Sequence, residues 1–278
     1  MIKISHEAPL SIFDMVQGKT DYDYCLCHLY DENSTYRDKF LEAKKKGREI
    51  ILDTSVFELG HAFDEDKYIE IIKELQPEWY IVPDVLENSM QTYINAVRWK
   101  EEIIDKLPGK PIVVAQGRNL EDFTNCFKAL ASLDMPKIAI SFDYSFYSDL
   151  YKHPNVHVSR MLGRPTLLRH LVKEELLNSD MKLHLLGCAL PQEGLLYSQN
   201  SQEGFDFIDS MDTSNPCVHG IKKVRYTDQG LWDKESVKLF TLINEDLDRD
   251  SIEIVKNNIM RFRWFWNQSY DFTNVEIV

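Results

Sequence analysis

Two acids three residues apart close the stretch IDSMD, Ile208 to Asp212, and the polar run Thr-Ser-Asn-Pro follows them. A pair of carboxylates is enough to run a displacement at a glycosidic carbon. One attacks the anomeric carbon, the other serves as acid or base, and the transition state has oxocarbenium character. Other apolar runs end in the same kind of side chain. Asp53 ends REIILD, Asp84 ends WYIVPD, Gln116 and Gly117 end PIVVAQG, Ser141-Phe142-Asp143 end KIAISFD, and Gly187 ends KLHLLG. Any one of these aspartates has a plain structural explanation, because Asp caps the helix after a strand or forms an Asx turn. Four strand-end acids at one mouth are harder to explain that way, since like charges crowded into a partly dry pocket cost free energy. The pattern marks a site, and its remaining polar groups suit a leaving group rich in hydrogen-bond donors and acceptors, such as a nucleobase.

The elements that must position these residues are legible as alternating patterns. Short runs rich in β-branched and aromatic residues read as strands: YCLCHL, REIILD, WYIVPD, PIVVAQG, KIAISFD, KLHLLG, FDFID and CVHGIKK. Helical periodicity is expected over Thr35 to Lys46, Glu65 to Leu75, Ser89 to Lys106, Leu120 to Leu133, Pro165 to Leu177 and, weakly, Glu193 to Ser198. Strand and helix in alternation imply right-handed βαβ crossovers and a parallel sheet. Eight units predict a single-domain (β/α)8 TIM barrel over residues 1–278, with functional loops at the C-terminal ends of its strands. Two more helical stretches, Lys234 to Asn244 and Ser251 to Trp266, make 234–278 a helical extension outside or below the barrel. Between Asp209 and Cys217 there is no room for a crossover helix, which leaves an open doubly wound sheet as the alternative.

A chain of 278 residues, 44% hydrophobic, has enough apolar material for one large core. No run approaches the roughly 18 apolar residues of a membrane span, and MIKISHEAPL lacks the order of a signal peptide, so a cytoplasmic protein is expected, in host cytoplasm if phage-encoded. Five scattered cysteines suit reduced thiols. A net charge of −13 excludes a protein that coats nucleic acid by electrostatics alone. KKKGR (Lys44 to Arg48) and IKKVRY (Ile221 to Tyr226) read first as solvated surface. Cys25, Cys27 and His28 supply metal-binding atoms, but alternate strand residues face opposite ways, so no metal is expected there. The aromatic RFRWFWNQSY, Arg261 to Tyr270, reads as packing on the outer face.

Taken in order, ILDTSVFELG, PDVLENS, VVAQG, LLG and DSMDTSNP resemble the tRNA-guanine transglycosylase family, including the relatives in phages and bacteria that insert 7-deazaguanines into DNA. The resemblance spans about Ile51 to Gly220. It implies a (β/α)8 barrel that exchanges guanine for a 7-deazaguanine through a covalent enzyme–nucleic acid intermediate. Asp53 resembles the family's general acid/base and Phe57 its stacking aromatic, although Ser55-Val56 stands where the family has glycines and Glu58 where it has Gln. Asp84 resembles the residue that grips the guanine edge. Gln116 and Gly117 resemble the family's Gln-Gly, with Gln116 facing the base carbonyl. The family's backbone donors would fall at Ser141 and Phe142, where its Gly-Gly-Leu is absent. Gly187 belongs to the LLG motif. DSMD resembles the nucleophile segment, so Asp212 would attack C1′ while Asp209 supports the site. The family's structural zinc cluster has no counterpart after Cys217, which favours DNA over tRNA as substrate.

The implied substrates are nucleic acid and a 7-deazaguanine base such as preQ0 or preQ1, with no redox cofactor and no ATP. Lys222, Lys223 and Arg225 are candidates for phosphate contacts, though surface solubility is the commoner role. The acidity leaves room for a homodimer or a helper protein that supplies basic surface. Two rivals remain: a non-catalytic nucleobase-binding barrel or partner subunit, and a nucleosidase or glycoside hydrolase that uses water as acceptor.

Overall fold

The computed structural model describes residues 1–177, 180–197, 205–235 and 237–267. Its strands are β1 (Lys3–Ser5), β2 (Asp23–Leu26), β3 (Ile50–Asp53), β4 (Trp79–Ile81), β5 (Lys110–Val114), β6 (Ile138–Ser141), β7 (Leu183–Leu186) and β8 (Ile208–Asp212). They form one eight-stranded sheet in the order β1-β8-β7-β6-β5-β4-β3-β2, with every pairing parallel. The sheet curls into a nearly closed barrel. Between the edge strands, Ile4 and Asp21 exchange hydrogen bonds: the Asp21 N–H donates to the Ile4 carbonyl at 2.9 Å and the Ile4 N–H donates to Asp21 Oδ2 at 2.8 Å. The fold is a single-domain (β/α)8 barrel, as its strand and helix alternation predicts.

The helices are α1 (Phe13–Gln17), α2 (Cys27–Glu32), α3 (Ser34–Lys45), α4 (Val56–Leu59), α5 (Glu65–Leu75), α6 (Ser89–Glu102), α7 (Leu120–Ala131), α8 (Tyr147–Leu150), α9 (Val156–Lys173), α10 (Asn215–Ile221) and α11 (Arg249–Asn267). Five of them start on a side-chain cap: Asn33, Asp64, Asn88, Asn119 and Asn155 each accept a backbone N–H from the first turn of α3, α5, α6, α7 and α9. These residues, and not the strand-end acids, cap those helices. Neither Asp84 nor Asp212 caps a helix, and only Asp53 shows such behaviour, accepting the Ser55 N–H at 2.7 Å.

Two expectations about the strands are corrected. CVHGIKK is not a strand; its Cys217 to Ile221 lie in α10, whose Pro216 stands at the start where a missing N–H costs nothing. The eighth strand is instead the N-terminal KIS, which pairs with β8 from Lys3↔Ser210 to Ser5↔Asp212. No crossover is needed after Asp209, and the open doubly wound sheet is not the architecture. FDFID is also displaced, because β8 runs on to Asp212.

Helix boundaries differ where tertiary contacts outweigh local signals. α9 begins nine residues before Pro165 and carries it internally. The neighbouring Arg164 is fully buried, pairs with Glu193 at 2.7 Å and donates to the Leu186 and Gly187 carbonyls, which anchors the helix despite the lost hydrogen bond. Among its described residues the stretch Lys234 to Asn244 holds only a 3₁₀ turn, Leu239–Leu242, and the helix expected from Glu193 is a 3₁₀ turn, Pro191–Leu196. Ser198, Ser236 and residues 268–278 of the expected helices and tail lie outside the described residues. α11 packs on α10 and the outer wall, with Phe262, Phe265 and Trp266 buried and Phe262 stacked on Trp266 at 5.6 Å.

Candidate active site at the barrel mouth

Along a strand, alternate side chains share a face. In this barrel Tyr24 and Leu26, Val114 and Gln116, and the ends of β3, β6, β7 and β8 place Asp53, Ser141, Leu186 and Asp212 on the lumen side at the C-terminal mouth. There they line a cavity of about 230 Å³. Of the residues expected from the sequence, Asp53, Phe57, Asp84, Gln116, Ser141, Phe142, Gly187 and Asp212 line that cavity.

Asp212 sits where two donors converge on one of its oxygens. His184 Nε2 lies 3.0 Å from Asp212 Oδ1, and the Gly187 N–H donates to the same atom at 3.4 Å. His184 Nδ1 lies 3.0 Å from Ser210 Oγ, and its ring stacks on Tyr24 with centroids 5.8 Å apart. Burial holds the imidazole below its usual pKa against the pull of Asp212, so it is a neutral donor to the carboxylate. Asp212 Oδ2 is left to face the cavity.

Asp53 occupies a different environment. Burial pushes its carboxyl up to about 7, with Asp212 and Asp84 adding repulsion and the Ser55 N–H opposing it. Ser55 holds φ +59°, a left-handed conformation that a glycine adopts without strain, at a position where the resembled family has glycine. Its hydroxyl accepts the His28 N–H at 3.4 Å, which fixes this turn to the end of β2.

Asp84 and Gln116 form the floor. Gln116 Nε2 donates to Asp84 Oδ2 at 2.7 Å, and Gln116 Oε1 accepts the Glu87 N–H at 3.0 Å. One amide hydrogen of Gln116 and one oxygen of Asp84 remain for a ligand. Burial raises Asp84 to about 6, against the Gln116 hydrogen bond. Over the floor, the exposed ring of Phe57 meets Phe142 edge to face at 5.8 Å.

Three assignments are corrected. Asp209 is at the opposite end of the barrel, where it accepts from the buried Lys137 at 2.6 Å, and Lys137 in turn lies 4.0 Å from the Trp79 ring. Residues three apart on a strand point to opposite faces, so Asp209 and Asp212 cannot share the mouth. Gly117 does not line the cavity; a Cβ there would come within 2.4 Å of the Phe123 backbone, so this glycine allows α7 to pack closely. Ser141 and Phe142 line the cavity but do not offer backbone donors. The Ser141 N–H donates to Tyr144 Oη and the Phe142 N–H to the Leu186 carbonyl.

The structure adds Glu7, Glu58, His184, His219, Arg160, Lys234 and Lys238. Glu7, just after the three-residue β1, is held well above the usual carboxylate range by burial, with Asp212, Glu58 and Asp53 adding repulsion. Burial also raises Glu58, one of whose oxygens has no partner. His184 was detectable as the polar residue flanked by leucines in the middle of KLHLLG. Glu7, Arg160 and Lys234 carried no local signal, since they come from loops or from a helix distant in sequence. Lys222, Lys223 and Arg225 do not line the cavity, and Lys223 pairs with Asp248 at 2.7 Å.

The fold and cavity together define a (β/α)8 barrel with an acid-lined pocket at its C-terminal mouth. Among the described residues, no helix is long and apolar enough to cross a membrane, and no three His, Cys, Asp or Glu side chains gather to hold a metal ion. No protein-family model and no curated protein matches the sequence. Among solved structures, 3-keto-L-gulonate-6-phosphate decarboxylase from Vibrio cholerae is similar at a TM-score of 0.46 and 10% identity, over 96% of this chain and 98% of that one.

Proposed function

We propose that the protein is a guanine transglycosylase that exchanges a guanine in nucleic acid, DNA in preference to tRNA, for a 7-deazaguanine base. One observation carries this reading: Asp212, with one oxygen held and the other free, faces the same cavity as Asp53, whose carboxyl pKa burial raises, above an Asp84–Gln116 pair with unused hydrogen-bonding capacity.

The flipped guanine enters with its Watson–Crick edge toward Asp84 and its carbonyl toward the spare amide hydrogen of Gln116, and Phe57 covers it. Asp212 Oδ2 attacks C1′ as the C1′–N9 bond breaks. The bonding pair leaves with the guanine, and Asp53 supplies the proton. A carboxyl whose pKa is near 7 both gives and takes protons at neutral pH. The incoming 7-deazaguanine then gives its N9 proton to Asp53 and attacks C1′, and the C1′–Asp212 bond breaks. Two inversions give net retention. The chemistry uses no redox cofactor.

The test incubates purified protein with nucleic acid carrying labelled guanine, as duplex DNA and as tRNA, with and without a 7-deazaguanine such as preQ0 or preQ1. Release that needs the incoming base and disappears in Asp212→Ala is expected. Release without the incoming base would replace this reading with a nucleosidase that uses water. No release from either polymer would leave a nucleobase-binding barrel.

A further inference from the structure

Four acids and two cations of the cavity occupy different sectors, while Glu58, Glu235 and Lys238 line it as well. Glu7, Asp53, Asp84 and Asp212 follow β1, β3, β4 and β8, whereas Lys234 and Arg160 gather over the ends of β6 and β7. Lys234 Nζ lies 3.6 Å from the centroid of the Phe142 ring and donates to the Cys188 carbonyl at 2.8 Å. Arg160 stands on the second turn of α9, close enough to Lys234 to repel its charge. Among the described residues no carboxylate or carbonyl accepts from the Arg160 guanidinium, although it lines the cavity. Two cations kept side by side, one without a protein acceptor, cost free energy unless an anion joins them.

An aromatic surface stands beside this pair. Trp232 is 67% exposed, and its carbonyl accepts from the side chain of Asn155, the cap of α9. The next residue, Asp233, reaches His157 one turn before Arg160, at 3.3 Å. The segment carrying Trp232 and Lys234 is thus tied to the helix that carries Arg160, with Arg160 and Lys234 lining the cavity and the exposed Trp232 two residues from Lys234.

We propose that Arg160 and Lys234 seat the backbone phosphate beside the extruded nucleotide and that Trp232 stacks on the neighbouring base. The proposal rests on the transglycosylase reading, and it makes the substrate a strand with a flanking nucleotide rather than a free nucleoside. A phosphate oxygen bridging a guanidinium and an ammonium gains two charge-assisted hydrogen bonds. Stacking on an exposed indole is indifferent to sequence, as a single-strand platform requires. An acidic protein that repels nucleic acid over most of its surface needs such a local seat to hold it in register.

The experiment measures binding of a fluorescent single-stranded oligonucleotide containing one guanosine, by anisotropy over a salt series, for the wild-type chain, Arg160→Gln, Trp232→Ala and Lys45→Ala. The last removes an equal charge on α3, on the outside of the barrel. Arg160→Gln is expected to weaken binding about tenfold and to lower the salt slope by about one. Trp232→Ala is expected to weaken binding about tenfold at an unchanged slope, while Lys45→Ala matches wild type. Equal effects of Arg160→Gln and Lys45→Ala, or no effect of either site variant, would overturn the proposal. The transglycosylase reading fails separately, if guanine release is the same in Asp212→Ala as in wild type.

Discussion

One imidazole joins Asp212 to the barrel interior: His184 lies 3.0 Å from Asp212 through Nε2 and 3.0 Å from Ser210 through Nδ1. With Asp212 as a carboxylate, Nε2 carries the proton and Nδ1 accepts from the Ser210 hydroxyl. Orientation of Asp212 therefore depends on a residue that does not line the cavity. His184→Phe is expected to slow formation of the covalent adduct by about 10–100-fold with little change in KM, because it releases the carboxylate without altering the floor. Single-turnover trapping of the adduct on a denaturing gel reads this directly. An adduct rate equal to wild type would mean that Gly187 alone orients Asp212.

On the transglycosylase reading, Asp53 couples activity to stability. Its folded-state pKa of about 7 is raised above the unfolded value, so the native state binds more protons. The contribution is fully present below about pH 4 and is lost as pH rises through about 7. Asp53→Asn removes the cost of ionising the buried group. It is expected to raise Tm by about 2–6 °C at pH 8 and by much less at pH 5. Guanine exchange should fall by about 10²–10⁴-fold in the same variant. Thermal melts at the two pH values and a release assay check both halves.

On the transglycosylase reading, the first half-reaction of the wild-type chain needs Asp53 protonated. Adduct formation is accordingly expected to decline above about pH 7, following that group. A rate that stays flat from pH 6 to pH 9 would assign the proton donor elsewhere, Glu7 being the nearest alternative on the cavity wall.

Asp209 has a structural role. Asp209→Asn leaves the 1%-exposed Lys137 facing a neutral amide and is expected to cost about 1–3 kcal/mol, seen as a lower denaturant midpoint at unchanged slope. Exchange at saturating substrate should stay within about twofold of wild type, because the residue lies at the far end of the barrel. A loss as deep as that of Asp212→Ala would restore Asp209 to the site.

Gly187 occupies a position only glycine fits. Its φ is +62°, and a Cβ would come within 2.4 Å of the Phe142 ring. Gly187→Ala is expected to destabilise the fold by about 2–4 kcal/mol and to weaken substrate binding, because Phe142 must leave the cavity wall. Urea melts with KM measured on the surviving fraction separate the two effects.

The alternation of apolar runs with helical periods determined the barrel, seven of its strands and the ends at which Asp53, Asp84, Gln116, Gly187 and Asp212 stand, because period and strand-end position are local properties of the chain. β1 escaped notice because three residues carry no period. CVHGIKK misled because its apolar residues suit a strand as well as a short helix, and only packing against α11 decides between them. The parity of β8 separated Asp209 from Asp212, but it could be used only once the strand was known to continue through both. The depth of the pocket was decided by tertiary structure alone. Glu7 and Lys234 reach it from loops more than two hundred residues apart, and the shifts of Asp53 and Asp84 arise from burial, which exists only after the barrel has closed.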